Sequence, residues 1–206
     1  MRKRSGIIFV AIGVMLMISA LLLYAYNSYD SFRAGEESDQ LLGEVKAAIE
    51  FPDIAEVEFD VEMPLSENEE QVAAEMAVVI IDGYGYIGYV SIPVLKLELP
   101  IMAEWDYARL KTAPCRHAGT VDGNDLVIAA HNYSTHFGTL SGLELGTEVL
   151  FTDMTGTVTS YSLERLETMA PDAVDEVLNS EYDLVLYTCT PGGATRVVAF
   201  CRRLDK

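Results

Sequence analysis

The chain has 206 residues, half of them hydrophobic, with 32 acidic residues against 14 basic ones and a net charge of −18. That length fits one ordinary domain plus an appendage. So strong a negative charge repels polyanions, which excludes nucleic acid and anionic lipid surfaces as partners.

The appendage is N-terminal. Arg2-Lys3-Arg4 precedes the 20-residue stretch Ile7–Tyr26, which contains no charged residue. About 20 apolar residues span a bilayer core, and Tyr24, Tyr26 and Tyr29 stand at the far end, where aromatic side chains favour the interface. The basic flank is expected to stay cytoplasmic and residues from about 30 onward to lie outside. A cleaved signal peptide is the competing reading. It requires a shorter apolar run and small residues at the cleavage site, and here Tyr24 and Tyr26 flank Ala25. An uncleaved single-pass anchor is therefore expected, with the C-terminus outside.

Ser31 to Gln40 reads as a polar, glycine-containing linker, and Asp39 to Glu50 as a helix with Leu41, Leu42, Val45 and Ile49 at helical spacing. Acid is concentrated between Glu36 and Glu75 and reads as solubilising. The stretch 51–65, with Pro52 and Pro64, looks extended. Ser66-x-x-Glu69 is a capping box expected to open a second helix running to about Ile81, where Gly83-Tyr84-Gly85 ends it. The organisation expected is thus 1–29 flank and anchor, 30–84 linker and helical arm, and 85–206 globular core.

The core reads as short strands at about 86–92, 95–101, 125–131, 147–152, 156–166, 184–189 and 196–204. Helices are expected near Glu104–Lys111 and Ala173–Asn179, with a turn at Phe137–Leu143. Pro93 and Pro100 belong at strand ends or edges. Many short strands with few helices predict a mainly β protein, closed or nearly closed into a barrel of about eight strands. The acidic stretch leaves calcium modulation open, but no loop has the spaced Asp/Asn and Gly pattern of a dedicated calcium site, and no metal or cofactor is expected.

The last two strands carry the chemistry. Leu184-Val-Leu-Tyr-Thr-Cys189 and Arg196-Val-Val-Ala-Phe-Cys201 flank a Pro-Gly-Gly turn. A symmetric hairpin sets Thr190 opposite Thr195 and Cys189 opposite Arg196, with directly opposed Cβ atoms about 4.5–5.5 Å apart. A thiol beside an obligate cation is a candidate nucleophile, since the cation favours thiolate and can hold an oxyanion. His131 ends the apolar run Asp125–His131 and supplies a candidate acid or base. The bland alternative is a buried core thiol and a structural histidine. Strand alternation turns Cys201 away from the Cys189 side, into the core. A Cys115–Cys201 disulfide is open from sequence, and Cys115-x-His117 is a rival reactive pair.

These motifs resemble the sortases, the membrane-anchored cysteine transpeptidases of Gram-positive cell surfaces. The resemblance covers about residues 85–204: Gly88-Tyr-Val-Ser-Ile-Pro93, Leu99-Pro-Ile101, Asn124-Asp-Leu-Val-Ile-Ala-Ala-His131, Phe137-Gly-x-Leu140 with Gly146, Leu186-Tyr-Thr-Cys189, and Arg196 on the following strand. It implies a sortase-like closed barrel in which Cys189 attacks a Leu-Pro-x-Thr-Gly-like sorting signal of a secreted surface protein and forms a thioester. His131 protonates the leaving amine and deprotonates the incoming one, and Arg196 holds substrate backbone or oxyanion. The accepting amine is that of a peptidoglycan precursor or a pilin lysine. Thr188 is implied as a second oxyanion contributor. His136, five residues after His131 in a loop that should border the site, is expected to contact substrate or to be merely exposed rather than to act as general acid. Two positions depart from the family pattern: Ala130 stands where Gly usually precedes the histidine, and Val185 where Thr stands four residues before the cysteine. The competing functions are another cell-wall cysteine peptidase, amidase or L,D-transpeptidase, and a non-catalytic anchored β-module. The amidase type places its Cys before its His, and the L,D-transpeptidase type wants Ser-His-Gly-Cys, whereas Cys189 follows Leu-Tyr-Thr.

Overall fold

The computed structural model describes residues 2–52 and 76–204. The chain divides into two compact units, 1–33 and 34–206. A single helix, α1 (Arg2–Glu50), contributes to both. In the first unit its apolar side chains are exposed all round, from Ile7 through Leu23. It is long and apolar enough to cross a membrane, reaching a mean hydropathy of 2.8 over 18 residues.

Residues 31–40, expected as a linker, are helical in α1. Within the second unit, Ala34, Ser38, Leu41, Leu42 and Val45 are buried, a stripe at i, i+4, i+7, i+8 and i+11. Gly35 is so close to the barrel that a Cβ there would lie 2.8 Å from Thr135 Cγ2. A helical glycine costs about 0.5–1 kcal/mol, and the packing of this stripe outweighs that cost. Lys46 Nζ fixes the far end of the arm, 2.7 Å from Glu98 Oε2 and 5.0 Å from the centre of the Tyr89 ring.

The barrel strands are β2 (Tyr84–Ile92), β3 (Leu97–Met102), β4 (Cys115–Ala118), β5 (Leu126–Ala130), β6 (Glu148–Asp153), β7 (Val158–Met169), β8 (Leu184–Cys189) and β9 (Arg196–Arg203). They run β2-β3-β4-β5-β8-β9-β7-β6 and close through β2–β6. The expected eight-stranded closed barrel is therefore present. A ninth strand, β1 (Val79–Ile81), pairs with the start of β2. This corrects the helix expected up to Ile81. Asp82 and Gly83 both have positive φ, the Asp-Gly turn of a tight hairpin. Ser66 and Glu69 of the expected capping box lie outside the described residues.

The helix expected at 104–111 is only a 3-10 turn at Arg109–Lys111. Asp106 Oδ1 accepts the backbone N–H groups of Ala108 and Arg109 and stabilises that turn locally. The short strand β4 was not anticipated. Pro100 is tolerated inside β3 because β4 joins it only at Met102–Cys115, leaving the proline's side of β3 otherwise unpaired. The short helix near 173–179 is present as α2 (Val174–Leu178).

Three apolar layers follow from strand alternation. Leu184 and Leu186 of β8 point into the barrel with Ile128, Ala199 and Cys201. Val185 points outward with Val198 and Phe200, beneath α2. On the neighbouring outer face Cys115, Ala129 and Met102 pack under Leu41 and Val45 of α1. Thr188 therefore faces inward, and Tyr187 and Cys189 face outward.

Candidate active site

The turn between β8 and β9 explains the position of the thiol. Thr190 N donates to Thr195 O at 3.0 Å, and Gly193 N to Thr190 O at 2.8 Å. Pro191 and Gly192, with φ +83° at Gly192, fill the two central positions of that turn, which need fixed φ first and positive φ second. The register then sets Cys189 directly opposite Arg196, as expected from the sequence. Arg196 Nη1 donates to Gly193 O and Thr195 O, each at 3.0 Å. Its Nε and Nη2 donors make no hydrogen bond among the described residues.

β5 and β8 are parallel neighbours, with Ala130 paired to Thr188. His131 and Cys189 are the next positions in register, on strands about 4.8 Å apart. The His131 ring stacks on Tyr133 at 4.1 Å and 14°, which fixes the plane of the imidazole. Register thus sets thiol, imidazole and guanidinium at the same end of the barrel.

Cys189 and Arg196 open into a cleft of about 330 Å³ on the outer barrel face. Ala129 and Tyr187 form its floor, Trp105 and Tyr107 one wall, and Pro171 and Val174 the other. The lining is predominantly apolar around a few polar groups, the usual character of a binding cleft.

The structure places two of the anticipated site residues elsewhere. Thr188 is 2% exposed, and its hydroxyl donates to Ala130 O at 2.9 Å. It braces the ends of β5 and β8 from inside the barrel, so its side chain does not reach substrate. His136 is fully buried, contrary to the expected exposed or substrate-contacting role. The backbone of Ala34 faces its ring, and burial, reinforced by the nearby His131, pushes its pKa down to about 4.

The other cysteines are set apart by burial. Cys115, against Met102 Sδ at 3.9 Å, is pushed up to about 11. Cys201, inside the barrel, is pushed up to about 12. They occupy different layers and are both free thiols, so the disulfide left open by the sequence is absent. The Cys115–His117 pair does not form either. His117 faces the cleft instead, where its Nδ1 lies 2.8 Å from Tyr187 Oη and its ring 4.7 Å from that of Trp105. Sequence reading missed this trio, because residues 105, 117 and 187 are joined only by the barrel. Among the described residues no group of three His, Cys, Asp or Glu side chains is placed to hold a metal ion.

Residues 90–204 match the Sortase domain family. No curated protein matches by sequence. Among solved structures, sortase C of Streptococcus pneumoniae is similar at a TM-score of 0.59 and 21% identity, over 81% of this chain and 97% of that one. Sortase A of Corynebacterium diphtheriae, a lid mutant, is similar at 0.50 and 24%, over 58% and 70%. A sortase D5 transpeptidase of Clostridium perfringens is similar at 0.51 and 19%, over 58% and 79%. With the family match spanning more than half of the chain and the closed barrel shared with these structures, the chain belongs to the sortase family.

Proposed function

We propose that the protein is a membrane-anchored cysteine transpeptidase acting on a Leu-Pro-x-Thr-Gly-like sorting signal. The observation that carries this reading is that Cys189 and Arg196 face each other and open together into an apolar cleft, with His131 at the neighbouring register position to Cys189 on the adjacent strand. The Cys189 sulfur attacks the carbonyl carbon of the threonine–glycine bond, and the carbonyl electrons move onto oxygen. Arg196, whose Nε and Nη2 are available, donates to that oxyanion or to the neighbouring substrate carbonyl. The tetrahedral intermediate collapses to a thioester, and the C–N bond breaks as His131 gives its proton to the leaving amine. The neutral imidazole then takes a proton from the incoming amine. That amine attacks the thioester carbonyl and returns the sulfur to Cys189.

Thr188 serves this chemistry by holding the ends of β5 and β8 together. The apolar half of α1 anchors the enzyme, with residues from about 30 onward outside the membrane. The acceptor is an amine of the cell wall or of a pilin lysine; the negative net charge favours the approach of its ammonium form, which gives up a proton before the neutral amine attacks.

The test is transpeptidation by the full chain in detergent, using a quenched Leu-Pro-x-Thr-Gly peptide and an added amine. Cleavage with amine-dependent product, lost in Cys189→Ala, is the expected outcome. Hydrolysis of a peptidoglycan amide instead, or equal turnover by Cys189→Ala, contradicts it.

A further inference from the structure

His117 belongs to no step of the proposed chemistry, yet it lines the cleft that contains Cys189 and Arg196. It is held from two sides. Tyr187, two residues before Cys189 and on the same face of β8, reaches across the small Ala129 of β5 to place its hydroxyl 2.8 Å from His117 Nδ1. Trp105 packs on the other side, with ring centroids 4.7 Å apart and an interplanar angle of 34°. Trp105 is 43% exposed. Trp105 and His117 also border a second hollow of about 350 Å³, lined by Glu104, Arg116 and Thr120. The pair is therefore a partition between an apolar cleft and a polar hollow.

Burial shifts the pKa of His117 downward, which favours the neutral ring. A phenol is a better donor than acceptor, and Tyr187 is itself pushed up to about 12 by burial. The Tyr187 hydroxyl therefore donates to Nδ1, and the imidazole proton resides on Nε2. Nε2 makes no hydrogen bond among the described residues. The wall thus offers one oriented N–H donor beside an indole face, in a cleft otherwise lined mainly by carbon.

We propose that His117, oriented by Tyr187 and Trp105, is a specificity-determining residue that reads a hydrogen-bond acceptor on the variable residue of the sorting signal. This rests on the transpeptidase reading of the same cleft. Tyr187 and Cys189 are about 6.6 Å apart along β8, so an extended peptide reacting at Cys189 passes the trio within two to three residues. The position between proline and threonine is the one the signal leaves free, and an adjustable polar subsite matches it. A flat amide or carboxyl side chain accepts from Nε2–H and stacks on Trp105, whereas an apolar side chain of equal length leaves the donor without a partner.

Trp105 is the only tryptophan in the chain, so its emission reports directly on this wall. The experiment titrates the full chain in detergent, carrying Cys189→Ala so that no chemistry follows, with Leu-Pro-Gln-Thr-Gly and Leu-Pro-Met-Thr-Gly peptides. The glutamine peptide is expected to bind about fivefold more tightly, the scale of one net hydrogen bond. In the same background, His117→Leu is expected to bring the ratio below about two while keeping the affinity for the methionine peptide. Tyr187→Phe, which removes only the orienting hydroxyl, is expected to narrow the ratio in the same direction. Equal affinity for the two peptides, a ratio unchanged by His117→Leu, or no binding of either peptide overturns the subsite. Intact mass of the wild-type chain with the same peptides separates the two claims. Selective binding without acylation contradicts the transpeptidase reading and leaves the subsite standing.

Discussion

A thiol attacks carbon only as its thiolate, and burial withholds that form from two of the three cysteines. Cys115 and Cys201 are both fully buried, with pKa values pushed up to about 11 and about 12, while Cys189 is half-buried at the rim of the cleft. At pH 8, iodoacetamide is expected to alkylate Cys189 at least about tenfold faster than either of the others, read by peptide mapping over time. Modification of Cys115 first contradicts the assignment of the nucleophile. Arg196 faces Cys189 in register, and its planar fork has donors to spare. Arg196→Lys keeps the charge but loses the fork. It is expected to lower kcat by about 100-fold, the scale of one lost oxyanion donor, with a much smaller change in KM. A change confined to KM assigns Arg196 to substrate binding alone.

Gly88 is where the barrel closes. β2 shifts register between Tyr86 and Gly88, and from Gly88 onward it pairs with β6 as well as β3. Its φ is +136°, and a Cβ there would lie 2.0 Å from Thr152 O. Gly88→Ala forces both a rare backbone conformation and a clash with the closing strand, and is expected to cost more than about 2 kcal/mol. Thermal unfolding of the full chain measures this, and an unchanged midpoint contradicts the account of closure. What was legible in the sequence at this scale follows contact distance along the chain. The β8–β9 hairpin is local, so the Pro-Gly-Gly turn and strand alternation were enough to place Cys189 opposite Arg196 and to turn Cys201 inward. β1 was missed because Gly83-Tyr84-Gly85 was read as a helix stop, whereas Asp82 and Gly83 form a hairpin turn. β4 is four residues long and joins β3 through a single residue pair, too little to leave a periodic signal. His136 was expected at the surface because no local pattern reveals that Ala34 and Gly35, about a hundred residues earlier, pack over that loop.

That buried imidazole gives the globular unit as a whole a pH dependence. In the fold His136 is pushed down to about 4, against about 6.5 for an unfolded ring. Between those values the unfolded chain binds the extra proton, so stability is full above about pH 6.5 and falls as pH drops toward 4, by roughly 3 kcal/mol. Thermal melts of the full chain at pH 7 and pH 4.5 should show a smaller drop for His136→Gln than for wild type, and an equal drop contradicts the linkage. The same contacts tie α1 to the loop that follows His131, so the arm supports the end of the barrel that carries His131 and Cys189 rather than serving only as a spacer. The central claim concerns what that end of the barrel does, and acyl-enzyme trapping tests it most directly. The full chain in detergent is incubated with sorting-signal peptides without an added amine, and its intact mass is read beside that of Cys189→Ala. The account predicts a thioester adduct of the peptide's Leu-Pro-x-Thr portion on wild type only, released when an amine is added. A folded wild-type chain that acquires no adduct from any such peptide, or an adduct that persists in Cys189→Ala, would contradict it.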